Sequence, residues 1–178
     1  MRGILPALLT IASLAACHRD TPEELAQAGM ERHRAREYAQ AIELYRESLE
    51  LHEDPAVRGS LARALAAYGN SSGSAAEYQR LLKAAPQNGA LWLEYGLLLE
   101  TGLEDLQGAE EALFNATQYP PKPPEASYRL GLVLMQRRRY EEAGACFEAA
   151  VNLAAPTSSW LEDARQQQIQ AFLLAKPR

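Results

Sequence analysis

The chain has 178 residues, with 18 basic and 23 acidic side chains and a net charge of −5. This length suits one ordinary domain with a buried core, and the acidic balance argues against nucleic acid, which binds to basic surfaces. Alanine and leucine dominate, and proline and glycine are spaced along the chain. This composition predicts an all-α fold.

The first segment, residues 1–16, is an apolar stretch with one charge, Arg2. It is shorter than the about 20 residues of a membrane-spanning helix and matches a secretory signal. It ends in Leu14-Ala15-Ala16-Cys17, which resembles the lipobox of bacterial lipoproteins. That resemblance implies a signal peptide over 1–16, a lipidated (palmitate-bearing) Cys17 and a tether over 17–21. The alternative is an ordinary signal peptide followed by a coincidental cysteine.

The residue after Cys17 bears on localisation. In Gram-negative lipoproteins an aspartate directly after the cysteine tends to retain the protein at the inner membrane, and His18 stands there instead. The resemblance therefore implies a lipid-anchored protein of the bacterial envelope, at the outer membrane and facing the periplasm. The other cysteine, Cys146, lies on a predicted helix and is expected to pack in the core.

From residue 22 the chain repeats itself four times. Each unit has a small residue, a second small residue twelve or thirteen positions later, and a large side chain four positions after that. These markers are Gly29, Ala41 and Tyr45; Ala62, Ser74 and Tyr78; Gly96, Ala109 and Leu113; and Gly131, Ala143 and Phe147. The pattern resembles the tetratricopeptide repeat, whose period is about 34 residues. The resemblance implies a right-handed solenoid of helical hairpins, with four repeats over 22–156 that stack to form one core.

The predicted helix pairs follow in chain order: 23–36 and 38–52, 55–68 and 73–85, 88–101 and 105–118, and 125–137 and 140–154. Residues 157–178 are predicted to form a capping helix, from Ser158 to Leu174, and a tail. Repeat two is the least regular, because Ser74 replaces alanine and a loop over Gly69–Gly73 replaces a tight turn. Pro55 is placed to open the following helix.

The Gly69–Gly73 loop also matches the G-x-S-x-G motif of hydrolases, an alternative enzymatic function. That motif needs a preceding strand and a later histidine, but a helix is predicted before it and no histidine follows His52. The histidines lie on separate elements, so no metal site is expected. The Arg137–Arg139 run is interpreted as a solvated helix end. The sequence thus predicts no enzyme, no cofactor and no small-molecule substrate.

In the tetratricopeptide family the first helix of each unit lines a concave groove that binds a protein or peptide client. When the groove positions of the family are transferred to this chain, the residues found there are mostly polar or basic in repeats one and two and apolar in repeats three and four. They are Met30, His33, Arg34, Arg63 and Ala67, followed by Leu93, Leu97, Tyr128, Leu132 and Met135. An apolar wall favours an amphipathic helix or an extended apolar peptide. Alternatively, Leu93 and Leu97 pack against neighbouring repeats.

The function that the resemblance implies is a non-enzymatic scaffold or adaptor. It is similar to the outer-membrane tetratricopeptide lipoproteins that serve as pilotins of pili and secretion channels or as parts of outer-membrane assembly complexes. An adaptor for cell-wall or proteolytic enzymes is an alternative. Self-assembly through the terminal helix is a third possibility.

Overall fold

The computed structural model of the protein describes residues 20–176, so the predicted signal peptide and Cys17 lie outside the described residues. Within that range the secondary structure is entirely helical. The helices are α1 Pro22–Arg34, α2 Tyr38–Leu51, α3 Pro55–Ala67, α4 Ser71–Ala84, α5 Gly89–Thr101, α6 Leu106–Gln118, α7 Pro124–Gln136, α8 Tyr140–Leu153 and α9 Leu161–Ala175. Among these, no helix combines the length and the apolar character that crossing a membrane would require.

The helix starts follow from local sequence. Three first helices begin at a proline, Pro22, Pro55 and Pro124, where the missing N–H has no helical partner to lose. The prediction that Pro55 opens a helix is thus confirmed. Thr21 and Glu24 form a capping box at α1, each side chain accepting the other's backbone N–H. Side-chain oxygens also cap α3, α4, α5 and α6, from Asp54, Asn70, Asn88 and Asp105.

Consecutive helices pack as hairpins, α1 with α2, α3 with α4, α5 with α6 and α7 with α8. The second helix of each hairpin then packs on the first helix of the next. Helix α9 continues this series, since it lies against α8 and also touches α7. The predicted fold, four stacked helical hairpins and a capping helix, is therefore confirmed.

A close contact lies at the centre of the hairpins. A Cβ added to Gly131 would lie 2.6 Å from Cε1 of Phe147, and one added to Gly29 would lie 2.7 Å from Cε1 of Tyr45. Both rings are almost fully buried. In repeats one and four the two helices therefore approach more closely than any side chain larger than hydrogen would allow at this position. Repeat two has Ala62 there, which is fully buried.

The buried side chains form three clusters of unequal size. One joins repeats one and two, and a second joins repeats two and three. The largest extends from α5 to α9 and includes Leu113, Val133 and Phe147, which are fully buried. Most of the core therefore lies in the C-terminal half of the solenoid.

Two helix starts differ from the sequence prediction by more than one residue. The connection in repeat two is a tight turn, in which Gly69 adopts φ +90° and the Asn70 N–H donates to the Leu65 carbonyl. Because the Asn70 side chain accepts the Gly73 N–H, α4 begins at Ser71 and not at residue 73. Helix α9 begins at Leu161 instead of Ser158, because turns precede it.

Two glycine substitutions test the close contact. Gly131→Ala should lower the free energy of unfolding by about 1–3 kcal/mol, the usual range for overpacking, because its methyl group overlaps the Phe147 ring. Gly144→Ala is the matched control, since its Cβ would meet only Ala171, at 3.8 Å, and alanine favours a helix by about 1 kcal/mol. Thermal unfolding followed by circular dichroism measures both. Equal melting temperatures would contradict the proposed contact.

Candidate protein-binding surface

The sequence predicts a row of binding positions along the first helices of the four repeats, α1, α3, α5 and α7. We name this row the helix-A surface. It comprises the positions predicted from the sequence, Met30, His33, Arg34, Arg63, Ala67, Leu93, Leu97, Tyr128, Leu132 and Met135. The structure distributes these residues differently among solvent, neighbouring repeats and core.

At the N-terminal end, Met30 borders a cavity of about 280 Å³ between α1, α2 and α3. Met30 and Arg34 are exposed. His33 is half-buried, and its ring meets Tyr38 edge to face with 5.4 Å between the centroids. His33 therefore packs on the start of α2, and Met30 and Arg34 remain available to a ligand.

In the middle, Arg63 connects two repeats. Its Nη1 lies 3.1 Å from Oε2 of Glu94, and the Tyr78 hydroxyl donates to the same oxygen at 2.8 Å. Burial, and then the nearby carboxylate, raises the pKa of Tyr78 above its ordinary value. Arg63 thus forms part of a polar joint between repeats two and three. The sequence analysis did not include Glu94, which lies 31 positions after Arg63.

In repeats three and four, the apolar half of the helix-A surface, some of the side chains are buried against the core. Leu93, Leu132 and Met135 are half-buried against the largest core cluster, so the alternative that Leu93 packs on its neighbours has support. Leu97 is half-buried but belongs to none of the three clusters. Among the apolar groove residues of repeats three and four, Leu97 is therefore the one that packs least against the buried clusters.

The prediction that Tyr128 lines the groove is wrong. Its ring stacks on Trp160, with 5.1 Å between the centroids and 12° between the planes, and its hydroxyl donates to Asp163 at 2.6 Å. Burial, with Asp163 next in effect, raises the pKa of Tyr128 to about 12. The physical cause is α9, which takes the place of a fifth first helix and covers this position.

A carboxylate that the sequence analysis missed lies in the apolar half. Glu100 follows Leu97 by three residues, a spacing that places two side chains on one helix face. Its Oε2 is buried and has no hydrogen-bond partner among residues 20–176. Burial raises the pKa of Glu100, against a weaker opposing effect of Arg129, which donates to Glu125 instead. The surface thus contains an acceptor without a donor.

Other singled-out residues are accounted for by the structure. Arg137 and Arg139 both pair with Glu110, so carboxylates balance the basic run. Burial raises the pKa of Cys146 to about 11, in keeping with a packing role. The G-x-S-x-G segment follows helix α3, not a strand. In the described part of the chain, no three histidine, cysteine or acidic residues are grouped to hold a metal ion.

The sequence matches the tetratricopeptide repeat family in three overlapping segments, residues 27–88, 60–123 and 102–159. The chain therefore belongs to the tetratricopeptide repeat family. No curated protein matches it in sequence.

Several solved structures are similar in fold. MamA from Desulfovibrio magneticus RS-1 superposes with a TM-score of 0.69 and 18% identity, covering 88% of this chain and 96% of that one. Pseudomonas aeruginosa PilF has a TM-score of 0.66 and 22% identity, covering 86% and 74%. BtubC from P. vanneervenii has a TM-score of 0.68 and 17% identity, covering 86% and 72%. At these identities the likeness establishes the fold.

Glu100→Gln tests the unpartnered carboxylate. Because the pKa of Glu100 is raised in the folded chain, its ionisation destabilises the fold as pH rises through the unfolded-state pKa. Below that pKa both states are protonated and the cost disappears. The variant should therefore melt up to about 2–4 °C higher than the parent at pH 7 and at the same temperature near pH 3.5. Exposed Glu148→Gln is the control. A pH-independent difference for Glu100→Gln would contradict this account.

Proposed function

We propose that the chain is a non-enzymatic adaptor that binds a segment of another protein along the helix-A surface of repeats three and four. The observation that carries this proposal is the combination of half-exposed Leu97 with the unpartnered acceptor of Glu100. An apolar face attracts an apolar segment, and a buried acceptor without a donor is stabilised when a ligand supplies one.

These features define the client chemically. An apolar side chain of the client packs against Leu97 and Leu132, and a neighbouring N–H or cationic group donates to Glu100. An amphipathic helix and an extended peptide both present such a sequence of groups. At the opposite end, exposed Arg34 suits an acidic residue of a longer client.

The proposed site of action is the periplasmic side of the bacterial outer membrane. The lipobox that ends at Cys17 supports acylation of that residue. His18, in the place where aspartate would favour retention at the inner membrane, supports a location at the outer membrane. Helix α1 begins at Pro22, and the intervening tether, residues 17–21, spans at most roughly 17 Å when extended. The acyl chains, at about 0.8 kcal/mol for each buried CH₂, would therefore keep the solenoid close to the lipid surface.

The proposed role is in the assembly of a pilus, a secretion channel or an outer-membrane complex, by resemblance to pilotin-type lipoproteins. The alternative, an adaptor for cell-wall or proteolytic enzymes, uses the same surface, and identification of the client separates the two. The elements that a hydrolase at Ser71 or Ser72 requires do not surround them, since helix α3 and not a strand precedes them and no histidine follows His52. Unchanged function after both are replaced by alanine would eliminate it.

The client-binding surface is tested by Leu97→Glu. A photoreactive phenylalanine at position 97, in the native host, captures the client for identification, and the same residue at exposed Leu51 on α2 is the control. The affinity for the identified client should then fall about thirtyfold in Leu97→Glu, as for a hot-spot residue, because the new carboxylate is desolvated without a partner. Circular dichroism should show an intact fold. Unchanged affinity, or loss of cooperative melting, would refute this groove assignment.

The anchor is tested separately by Cys17→Ser. The lipobox resemblance predicts that this variant incorporates no labelled fatty acid and is not processed after Ala16. Labelling followed by membrane fractionation measures both properties, with Cys146→Ala as the matched control that should stay acylated. Label retained in Cys17→Ser would contradict the lipoprotein proposal without affecting the groove.

A further inference from the structure

Helix α9 exposes a row of large apolar side chains. Ile169, Phe172 and Leu173 are 63%, 62% and 62% exposed, and their spacing places them on one helix face. Together they form an apolar surface on the order of a few hundred Å², the size that marks interaction sites on monomers. An adjoining groove lies between α8 and α9 and includes Phe172.

This groove repeats the geometry of the preceding repeat. Equivalent positions in the two successive grooves differ by 38 in residue number, so each residue of α9 corresponds to the residue of α7 that lies 38 positions earlier. Leu130, Leu134 and Arg137 line the earlier groove, and Gln168, Phe172 and Ala175 line the later one. Helix α9 therefore stands in the register of a first helix, with Phe172 at the place of Leu134.

The burial of these two counterparts differs sharply. Leu134 is 3% exposed, because α8 covers it, whereas Phe172 is 62% exposed. The same register aligns Ile169 with Gly131, the residue whose Cβ would lie 2.6 Å from the Phe147 ring. A helix packed as closely as α8 packs on α7 would collide with Ile169. The open face therefore suits a helix at the wider spacing of about 8–10 Å that ordinary side chains require.

We propose that the occupant is α9 of a second copy, paired across a two-fold axis. Such an axis, perpendicular to α9, places the second α9 antiparallel to the first, the direction that the second helix of every repeat has relative to its first helix. A two-fold interface needs both halves of each contact on one surface. Here the large Phe172 lines the same groove as Gly144 and Ala145 of α8, whose small side chains leave room for the Phe172 side chain of the second copy.

The charges on this surface are also self-complementary. The α8 edge of the groove carries Glu141 and Glu148. Helix α9 carries Arg165, and Lys176 follows it directly, with its Nζ 4.7 Å from the centre of the Phe172 ring. Because α8 and α9 are antiparallel, the second copy's α9 runs parallel to α8. This direction brings its Arg165 to the Glu141 end and its Lys176 to the Glu148 end of the groove.

The interface is small, because the 15 residues of α9 span only about 22 Å. A stable dimer commonly buries about 800 Å² on each partner, so pairing through one helix and a shallow groove is weak in dilute solution. A high local concentration of copies strengthens such pairing. The pairing leaves Leu97 and Glu100 on the helix-A surface uncovered.

The test uses the full chain in a bacterial host, in a Cys146→Ala background, with a cysteine introduced at Gln170. This residue is exposed one turn before Leu173, at the edge of the apolar face, so the change keeps Ile169, Phe172 and Leu173 in place. A short bismaleimide should yield a product of twice the chain mass in much larger amount than in two controls. One control is Phe114→Cys, whose position on α6 is 53% exposed but lies outside the α9 face. The other is the background chain without the added cysteine.

A charge exchange provides a second readout. Lys176→Glu should lower the cross-linking yield about threefold, the range of one exposed ion pair, and adding Glu148→Lys should restore it. Equal yields at positions 170 and 114 would overturn the proposal, and so would a product whose mass shows a different protein. Leu97→Glu should leave the yield unchanged, so failure of this pairing is distinguishable from failure of client binding.

Discussion

The structure depends on the approach of two helices at a residue without a side chain. Where Gly29 meets Tyr45 and Gly131 meets Phe147, the ring of the second helix occupies the volume that a Cβ would need. This contact fixes which face of the first helix is buried in its own hairpin. The residues that follow each glycine are turned by about 100° in a helix, away from the partner. The helix-A surface thus follows from the position of the small residue in each first helix, which is glycine in repeats one, three and four and Ala62 in repeat two.

The features that the sequence predicted well are those that a few neighbouring residues determine. Helix starts depend on caps and prolines within one turn, and the hairpins depend on small and large residues one helix apart. The groove was harder to predict, because its residues have partners in other repeats. Tyr128 is covered by Trp160, and Arg63 is bound to Glu94, each about 31 or 32 positions away. The family pattern shows where a groove position lies on the first helix. It does not show which side chain from another part of this chain packs against that position.

The same constraint explains why α9 differs from the other first helices. Its contacts with α8 use Ala164 and Ala171, which are fully buried, so it docks like α7. Where the repeats have a small residue for their own second helix, α9 has Ile169. Because of Ile169, no further helix can pack on α9 as closely as α8 packs on α7. Helix α9 therefore exposes an apolar face that the other first helices bury. The protein consequently has two separate apolar surfaces, one along the first helices and one at the terminal helix.

The unequal distribution of the core has a consequence for biogenesis. A solenoid is stabilised by each repeat and its contacts with the next, and the largest buried cluster here joins α5 to α9. The residues synthesised first, repeats one and two, have the smaller clusters and gain less from folding alone. Repeats one and two of a nascent chain would thus gain their contacts with the largest cluster only after repeats three and four and α9 have been made.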